Sequence, residues 1–323
     1  MRSPKFWAYR SIVSWFLSPI GSAFGYAAAL RARCVHSFQI NHPVICVGNL
    51  VAGGAGKTPI AISIADRLHS LGYTPHFLTR GYGGSIIGPE CVDLGRHTAI
   101  EVGDESLLLA RLAPTWVSRN RVTGALAAEA AGADVIVMDD GFQNHDLKKD
   151  ISLVVIDGVY GMGNGRVIPA GPLREFPDHG LSRADAIVVI GPISESTSAA
   201  LPENIPIFKA SIVPADKQIE GSSRVVAFAG IGFPEKFYAS LLTAGAEIIE
   251  TRSFPDHYFY SKQDIIKLKS TASKHDAKLV TTEKDFARLD ASDAQGIDTL
   301  PVSVEWQDRT AFDDFLTRIS MPS

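Results

Sequence analysis

The 323-residue sequence predicts an α/β protein: a doubly wound, mostly parallel sheet followed by a second, smaller α/β unit. Three observations predict this. Short, continuous apolar runs alternate with helical patterns along the chain. A glycine-rich turn follows the first of these runs and opens a helix. A second, shorter set of runs begins after a polar stretch containing proline and glycine. Hydrophobic residues are 46% and charged residues 20% of the chain, so a real core forms and disorder as the main state is excluded. The net charge of −4 (31 Lys and Arg against 35 Asp and Glu) argues against a general nucleic-acid binder, which needs a basic face. Cys34, Cys46 and Cys91 are odd in number and lack CxxC spacing. A disulfide framework or zinc knuckle is therefore not expected, and a reducing compartment is the default.

The first element is the least ordinary. Ser11 to Leu30 is a run of twenty residues without a charge, flanked by Arg2, Lys5 and Arg10 before it and Arg31 and Arg33 after it. Its length permits a membrane span. Ser14, Ser18, Pro19, Gly21, Ser22 and Gly25 dilute its apolar content, and no clear cleavage site marks a signal peptide. The expectation for residues 1–30 is an amphipathic or re-entrant helix in a membrane interface. Phe6, Trp7, Tyr9, Trp15, Phe16, Phe24 and Tyr26 would lie at headgroup depth, with the cations on anionic lipid. The alternative is a soluble helix packed on the body.

Val44–Gly48, His76–Thr79, Val135–Asp139, Leu153–Asp157 and Ala186–Ile190 read as buried strands. They are continuous rather than alternating, as parallel strands covered on both faces are. Pro59–Leu71, Asp104–Leu112 and Val122–Ala131 read as the helices between them. A second set, Val225–Ala229, Glu247–Thr251, Leu279–Thr282 and Pro301–Val304, alternates with helices over Glu235–Thr243, Lys262–Ser273 and Thr310–Ile319. Ile212–Ser223 is the linker candidate, giving units over 31–213 and 214–323.

The chemistry-bearing stretch is NLVAGGAGKTP after the first strand. Gly53, Gly54, Ala55, Gly56, Lys57, Thr58 and Pro59 form a phosphate-binding loop by sequence. Glycines let backbone N–H groups approach phosphates, and the helix N-terminus adds positive potential. Lys57 would reach the β and γ phosphates, and the Thr58 hydroxyl would ligate Mg²⁺. Pro59 falls in the first helical turn, where a missing N–H costs little. Val51 stands where the standard spacing has glycine. The frame is thus P-loop NTPase-like. Such a loop needs an acidic strand end, and Val135–Met138 run into Asp139 and Asp140 at the carboxyl edge of the sheet. A turn or helix cap is the other reading of that pair.

Candidates beyond the phosphates read less sharply. Asp104 opens a helix beside Glu105, and an Asp there is usually a cap. His257 lies between aromatics in Phe254–Tyr258, where a lone His is more often structural. Arg80 stands in a glycine-rich turn. Gly161–Arg174 is a long Gly/Pro segment with Arg166 and Arg174, either functional or poorly ordered.

Taken together, the stretches VGNLVAGGAGKTP (Val47–Pro59), TRGYGG (Thr79–Gly84), VGDE (Val102–Glu105) and DDGFQ (Asp139–Gln143) resemble the tetraacyldisaccharide 4′-kinase family of lipid A biosynthesis. PAGPLRE (Pro169–Glu175), FAGIGFPEKF (Phe228–Phe237), FPDHY (Phe254–Tyr258) and TTEKD (Thr281–Asp285) extend the resemblance over nearly the whole chain. It implies an enzyme on the cytoplasmic face of the bacterial inner membrane. The reaction it implies moves the ATP γ-phosphate to the 4′-hydroxyl of a tetraacylated glucosamine disaccharide 1-phosphate, giving lipid IV-A. By the same resemblance, Lys57 and Thr58 bind nucleotide and Mg²⁺, and Glu105, Asp139 and Asp140 surround the metal. Asp104 looks like the base, with His257 tuning it. The N-terminal run becomes a docking surface for a substrate whose acyl chains stay in the bilayer. The family continues DDGFQ with His, whereas Asn144 follows here and His145 comes one place later. Two other classes stand beside this reading. One is a membrane-associated P-loop ATPase of the assembly or positioning type, which turnover without any acceptor would favour. The other is a GTP-binding switch, which Thr282–Asp285 argues against because its lysine falls one place late for a guanine selector.

Overall fold

The computed structural model describes residues 4–215 and 223–317. Its strands are β1 (Val44–Gly48), β2 (Pro75–Thr79), β3 (Glu90–Cys91), β4 (Thr115–Val117), β5 (Val135–Asp139), β6 (Ile151–Asp157), β7 (Ala186–Ile190), β8 (Ile207–Pro214), β9 (Arg224–Ala229), β10 (Glu247–Ser253), β11 (Lys278–Thr282), β12 (Ile297–Leu300) and β13 (Val302–Trp306). Its helices are α1 (Ile12–Cys34), α2 (Lys57–Ser70), α3 (Ala99–Val102), α4 (Asp104–Ala110), α5 (Arg121–Ala130), α6 (Pro177–Leu181), α7 (Glu195–Ala200), α8 (Pro234–Thr243), α9 (Lys262–Lys274), α10 (Glu283–Phe286), α11 (Ala291–Ala294) and α12 (Arg309–Leu316).

Nine strands form one sheet in the order β13-β8-β7-β6-β1-β5-β2-β4-β3. Its seven inner strands are parallel, and β13 and β3 close the edges antiparallel. The period of two along each strand divides the core into two layers. Ile45, Val47, Val135, Val137, Leu153 and Val155 face α2 and α12, while Val44, Cys46, Ile136, Met138, Val154 and Ile156 face the opposite layer with α5. Burial on both faces is why these strands read as unbroken apolar runs. Full burial of each such side chain contributes about 1.5–3 kcal/mol. The second sheet, β10-β9-β11-β12, is wholly parallel, with α8 on one face and α9 on the other.

The topology corrects the expected boundaries in one respect. The chain leaves the large sheet after β8 and returns to it, because Val302–Trp306 pairs antiparallel with Ala210–Pro214. The strand expected at Pro301–Val304 and the terminal helix thus complete the first unit, not the second. β12 takes the expected strand's place in the small sheet. The reason lies in α12, whose Phe312, Phe315 and Leu316 are buried in the α2 layer, with Trp306 stacked on Phe312 at 3.7 Å. Arg67 of α2 fixes this return through Asp313 at 2.6 Å. Part of the linker candidate, Ile212–Pro214, is strand β8, and residues 216–222 and 318–323 lie outside the described residues.

α1 runs to Cys34, four residues past the expected limit at 30, and continues through Pro19. A Ser11–Ser14 capping box starts it. Its buried residues are Ser14, Gly21 and Gly25, whereas Ile12, Val13, Trp15, Phe16, Ile20, Phe24, Tyr26 and Leu30 are exposed. A small-residue face sits on the body, as in the packed-helix reading, and an aromatic, apolar face points away from it. The helix is long and apolar enough to cross a membrane by length and composition. Cys34, Cys46 and Cys91 are all free.

Candidate active site

The loop between β1 and α2 lies at the carboxyl edge of the large sheet, where ligands bind in such folds. Gly53 (φ 131°) and Gly56 (φ 81°) adopt backbone conformations that only glycine takes without strain. Gly56 has a second constraint, since a Cβ there would meet the Ile190 and Ile212 side chains at 2.6 and 2.9 Å. Gly54 and Ala55 complete the turn, and the Gly53 carbonyl accepts from Ala55 N at 3.1 Å. Buried Asn49 reaches the same carbonyl through Nδ2 at 3.3 Å. Lys57, Thr58 and Pro59 are the first three residues of α2. Val51 departs from the usual glycine because it pairs, extended, with Leu173. The first half of the loop is held from outside by this one bridge, and the glycines with positive φ fall in its second half.

Thr58 Oγ1 donates to Asp139 Oδ2 at 2.9 Å. The other oxygen of this carboxylate, Asp139 Oδ1, is buried without a hydrogen-bond partner. Burial, and next the charge of Glu105, push Asp139 up to about 7 against the pull of Lys57. An orphaned carboxylate oxygen beside a phosphate-loop threonine is a site that a divalent cation would satisfy, so these residues fit Mg²⁺. The other two expected ligands are already neutralised by cations. Asp140 takes a bidentate Arg174 (2.8 and 3.2 Å) and stands 3.7 Å from Lys57 Nζ. Burial opposes its charge, but Lys57 and Arg174 outweigh burial and hold it at about 2. Glu105 accepts from Lys284 Nζ at 2.9 Å. Among the described residues no group of three or more His, Cys, Asp or Glu is gathered to hold a metal. Of the expected set, Thr58 and Asp139 are hydrogen-bonded to each other, whereas Asp140 and Glu105 lie against cations.

Asp104 and His257, 153 residues apart, meet at 3.2 Å between Oδ2 and Nδ1. Asp104 is only 4% exposed, and its Oδ1 accepts from Glu105 N at 2.9 Å. Arg288 Nε donates to Asp104 Oδ2 at 2.6 Å, and Arg288 Nη1 to Asp285 Oδ1 at 2.8 Å. Burial raises the Asp104 pKa, but the His257 hydrogen bond and the charges of Lys284 and Arg288 prevail and hold it well below the carboxylate range. On its far side the His257 ring has Lys284 Nζ 3.5 Å from Nε2. Tyr82, from the glycine-rich turn after β2, lies against the same ring at 5.2 Å. Asp104 stands on the large unit and His257, Lys284 and Arg288 on the small one, so this cluster bridges the two. The phosphate loop is close by, because a Cβ on Gly232 would lie 3.4 Å from Gly54 N.

Arg288 carries no motif, and Asn49 lies inside the NLVAGGAGKTP stretch but has no role assigned from sequence. The signal for Arg288 was its three-residue spacing from Asp285, which puts both on one face of a helical turn. Lys284 lay inside a recognised stretch but without a role. Arg174 stands in a loop that reads as either functional or poorly ordered; the loop is ordered, and Arg174 pairs with Asp140.

The family model for "LpxK: Tetraacyldisaccharide-1-P 4′-kinase" matches residues 13–320. The chain belongs to this family. A tetraacyldisaccharide 4′-kinase of Paramagnetospirillum magneticum is 50% identical over 323 residues, covering 99% of each chain. One from Rhodospirillum rubrum is 46% identical, covering 99% of this chain and 98% of its own length. Among solved structures, LpxK from Aquifex aeolicus in complex with ATP aligns with a TM-score of 0.75 at 26% identity, over 95% of this chain and 99% of that one. The likeness thus extends over nearly the whole chain. Where its DDGFQ stretch departs from the family pattern, Asn144 bonds locally to Asp146 and Leu147 N. His145 is lowered in pKa by burial and then by Arg183 and Lys149.

Proposed function

We propose that the chain transfers the γ-phosphate of ATP to the 4′-hydroxyl of a tetraacylated glucosamine disaccharide 1-phosphate, giving lipid IV-A. The observation that carries this reading is the meeting of Asp104 with His257 beside the Gly53–Thr58 loop. A phosphate loop alone serves any nucleotide hydrolase. A buried carboxylate–imidazole pair from two units, closing against that loop, suits an acceptor hydroxyl.

Each residue then has a task. The loop N–H groups and Lys57 hold the triphosphate and neutralise charge on the transferred group. Thr58 and Asp139 would hold Mg²⁺, which would supply positive charge to the triphosphate. Asp140 keeps Lys57 and Arg174 at the same edge. Asp104, ionised at neutral pH, accepts the 4′-hydroxyl hydrogen bond through Oδ1, which has an acceptor site left. His257 orients the carboxylate through Nδ1. Phosphoryl transfer is loose, so alignment of the hydroxyl outweighs the strength of the base. The exposed aromatic face of α1 lies on the cytoplasmic face of the inner membrane, where the acylated substrate resides.

The test supplies labelled ATP and a detergent-dispersed tetraacyldisaccharide 1-phosphate. Label appearing in the lipid is expected. Label released only as inorganic phosphate, whether or not lipid is present, would replace this reading with a membrane-associated ATPase.

A further inference from the structure

The segment Gly161–Phe176 lies between the N-terminal residues and the phosphate loop, bonding to Phe6 and Trp7 on one side and to the loop on the other, with α1 packed against it. On the loop side, Ala52 N donates to Pro172 O at 2.7 Å and Arg174 N to Leu50 O at 2.8 Å. Leu173 pairs with Val51, and the Arg174 guanidinium holds Asp140. On the N-terminal side, Trp7 Nε1 donates to Pro169 O at 3.1 Å, and Trp7 O accepts from Asn164 N at 2.8 Å. α1 itself is seated close: a Cβ on Gly21 would lie 2.5 Å from Val167 O, and one on Gly25 2.7 Å from the Phe176 ring.

Asn164 is where the two sides join. It is 6% exposed. Its Nδ2 donates to Phe6 O at 3.0 Å and to Ala170 O at 2.9 Å. Its Oδ1 accepts from Arg166 N at 3.0 Å. One amide thus ties the approach to α1 to the tight turn that ends in Pro172–Arg174. Both carbonyls would lose their partner in an alanine variant, and a buried unpaired carbonyl is costly enough to let the two segments part.

We infer that Asn164 is a positioning residue: it couples the seating of α1 to the placement of Arg174 and the phosphate loop, so that nucleotide affinity responds to a lipid surface. The inference rests on the reading of Gly53–Thr58 as the nucleotide site. A lipid surface can shift that affinity only if α1 is held differently on and off it, and the contacts through Gly161–Phe176 are the path by which such a difference reaches Leu50–Ala52.

The experiment measures binding of a fluorescent ATP analogue to the full chain, with and without vesicles of anionic phospholipid. Sedimentation with those vesicles is followed in parallel. The wild-type Kd is expected to tighten on the order of five-fold or more with vesicles. Asn164→Ala is expected to sediment as wild type does, with its Kd changing by less than about two-fold on vesicle addition, well under that coupling. Trp7→Phe removes the hydrogen bond to Pro169 O while keeping an aromatic ring, and is expected to lose part of the response. It serves as the deciding variant if Asn164→Ala does not fold. A full vesicle response in both variants, or in Trp7→Phe alone where Asn164→Ala does not fold, overturns the inference. So does a wild-type Kd indifferent to vesicles. Wild type binding no nucleotide at all would sink the nucleotide reading itself, whereas binding without a vesicle response sinks only the coupling.

Discussion

At the scale of single residues, Asp104 shows how far one side chain exceeds its sequence context. It opens α4, yet its Oδ2 serves His257 and Arg288 rather than the helix end. We expect Asp104→Ala to lower kcat by roughly 10²–10⁴-fold, the usual span for a general base. His257→Ala should cost less, and the double variant less than the product of the two, because the pair acts as a unit. Strictly multiplicative losses in a transfer assay would break the pair. Asp104 also supports the fold, since removing it leaves buried Arg288 with Asp285 as its remaining carboxylate, a loss below the about 3–5 kcal/mol of a fully unpaired buried charge. Its pKa is depressed, so this contribution is present above the unfolded value near 4 and is lost as pH falls below it. Thermal midpoints should therefore fall between about pH 5 and pH 3 in wild type, and fall less in Asp104→Asn over the same window. Lys57→Ala should abolish transfer, because the backbone loop cannot supply the ammonium charge. Turnover within a few-fold of wild type would remove Lys57 from the phosphate site.

At the scale of elements, α1 carries the lesson. The small residues that argued against a simple span, Ser14, Gly21 and Gly25, are the ones that face the body. The aromatics named from sequence divide accordingly. Trp15 and Phe16 are 64% and 69% exposed, whereas Trp7 is bonded to Pro169 O. The double variant Trp15→Ser/Phe16→Ser should weaken vesicle sedimentation by about ten-fold or more, since two interface aromatics are withdrawn. Its melting temperature should hardly move, because exposed substitutions cost within about 0.5 kcal/mol. A large drop in melting temperature with unchanged sedimentation would show that this face is packed in solution.

At the scale of the whole molecule, the two sheets act on one edge. β13 and α12 bring the chain back to the large sheet, so the small sheet is inserted between β8 and β13 rather than appended. β8 ends where β13 begins, with Pro214 paired to Val302, and the small unit sets His257 and Arg288 over Asp104 and Gly232 over Gly54. Gly232→Leu should then raise the KM for ATP by about ten-fold through intrusion on the loop, an effect of the size of one lost good contact. The lipid KM should change far less. An unaltered ATP KM would mean that the small unit stands clear of the nucleotide.

The sequence by itself determined the parallel sheet, the glycine turn with Lys57 and Thr58, and the acidic end of β5. Each is a local pattern: a run, a spacing or a strand terminus whose physics acts within a few residues. It also singled out Asp104 and His257, though only through a family resemblance, since each alone reads as a cap or a packed ring. Tertiary structure decided what lies far apart in the chain. Arg288 neutralises Asp104 across 184 residues, and Arg174 reaches Asp140 across 34. The return of Val302–Trp306 to the large sheet was likewise set by Phe312 and Trp306 finding the α2 layer. A buried charge or an edge strand takes whichever partner the fold brings to it, and no spacing in the sequence records which partner that is.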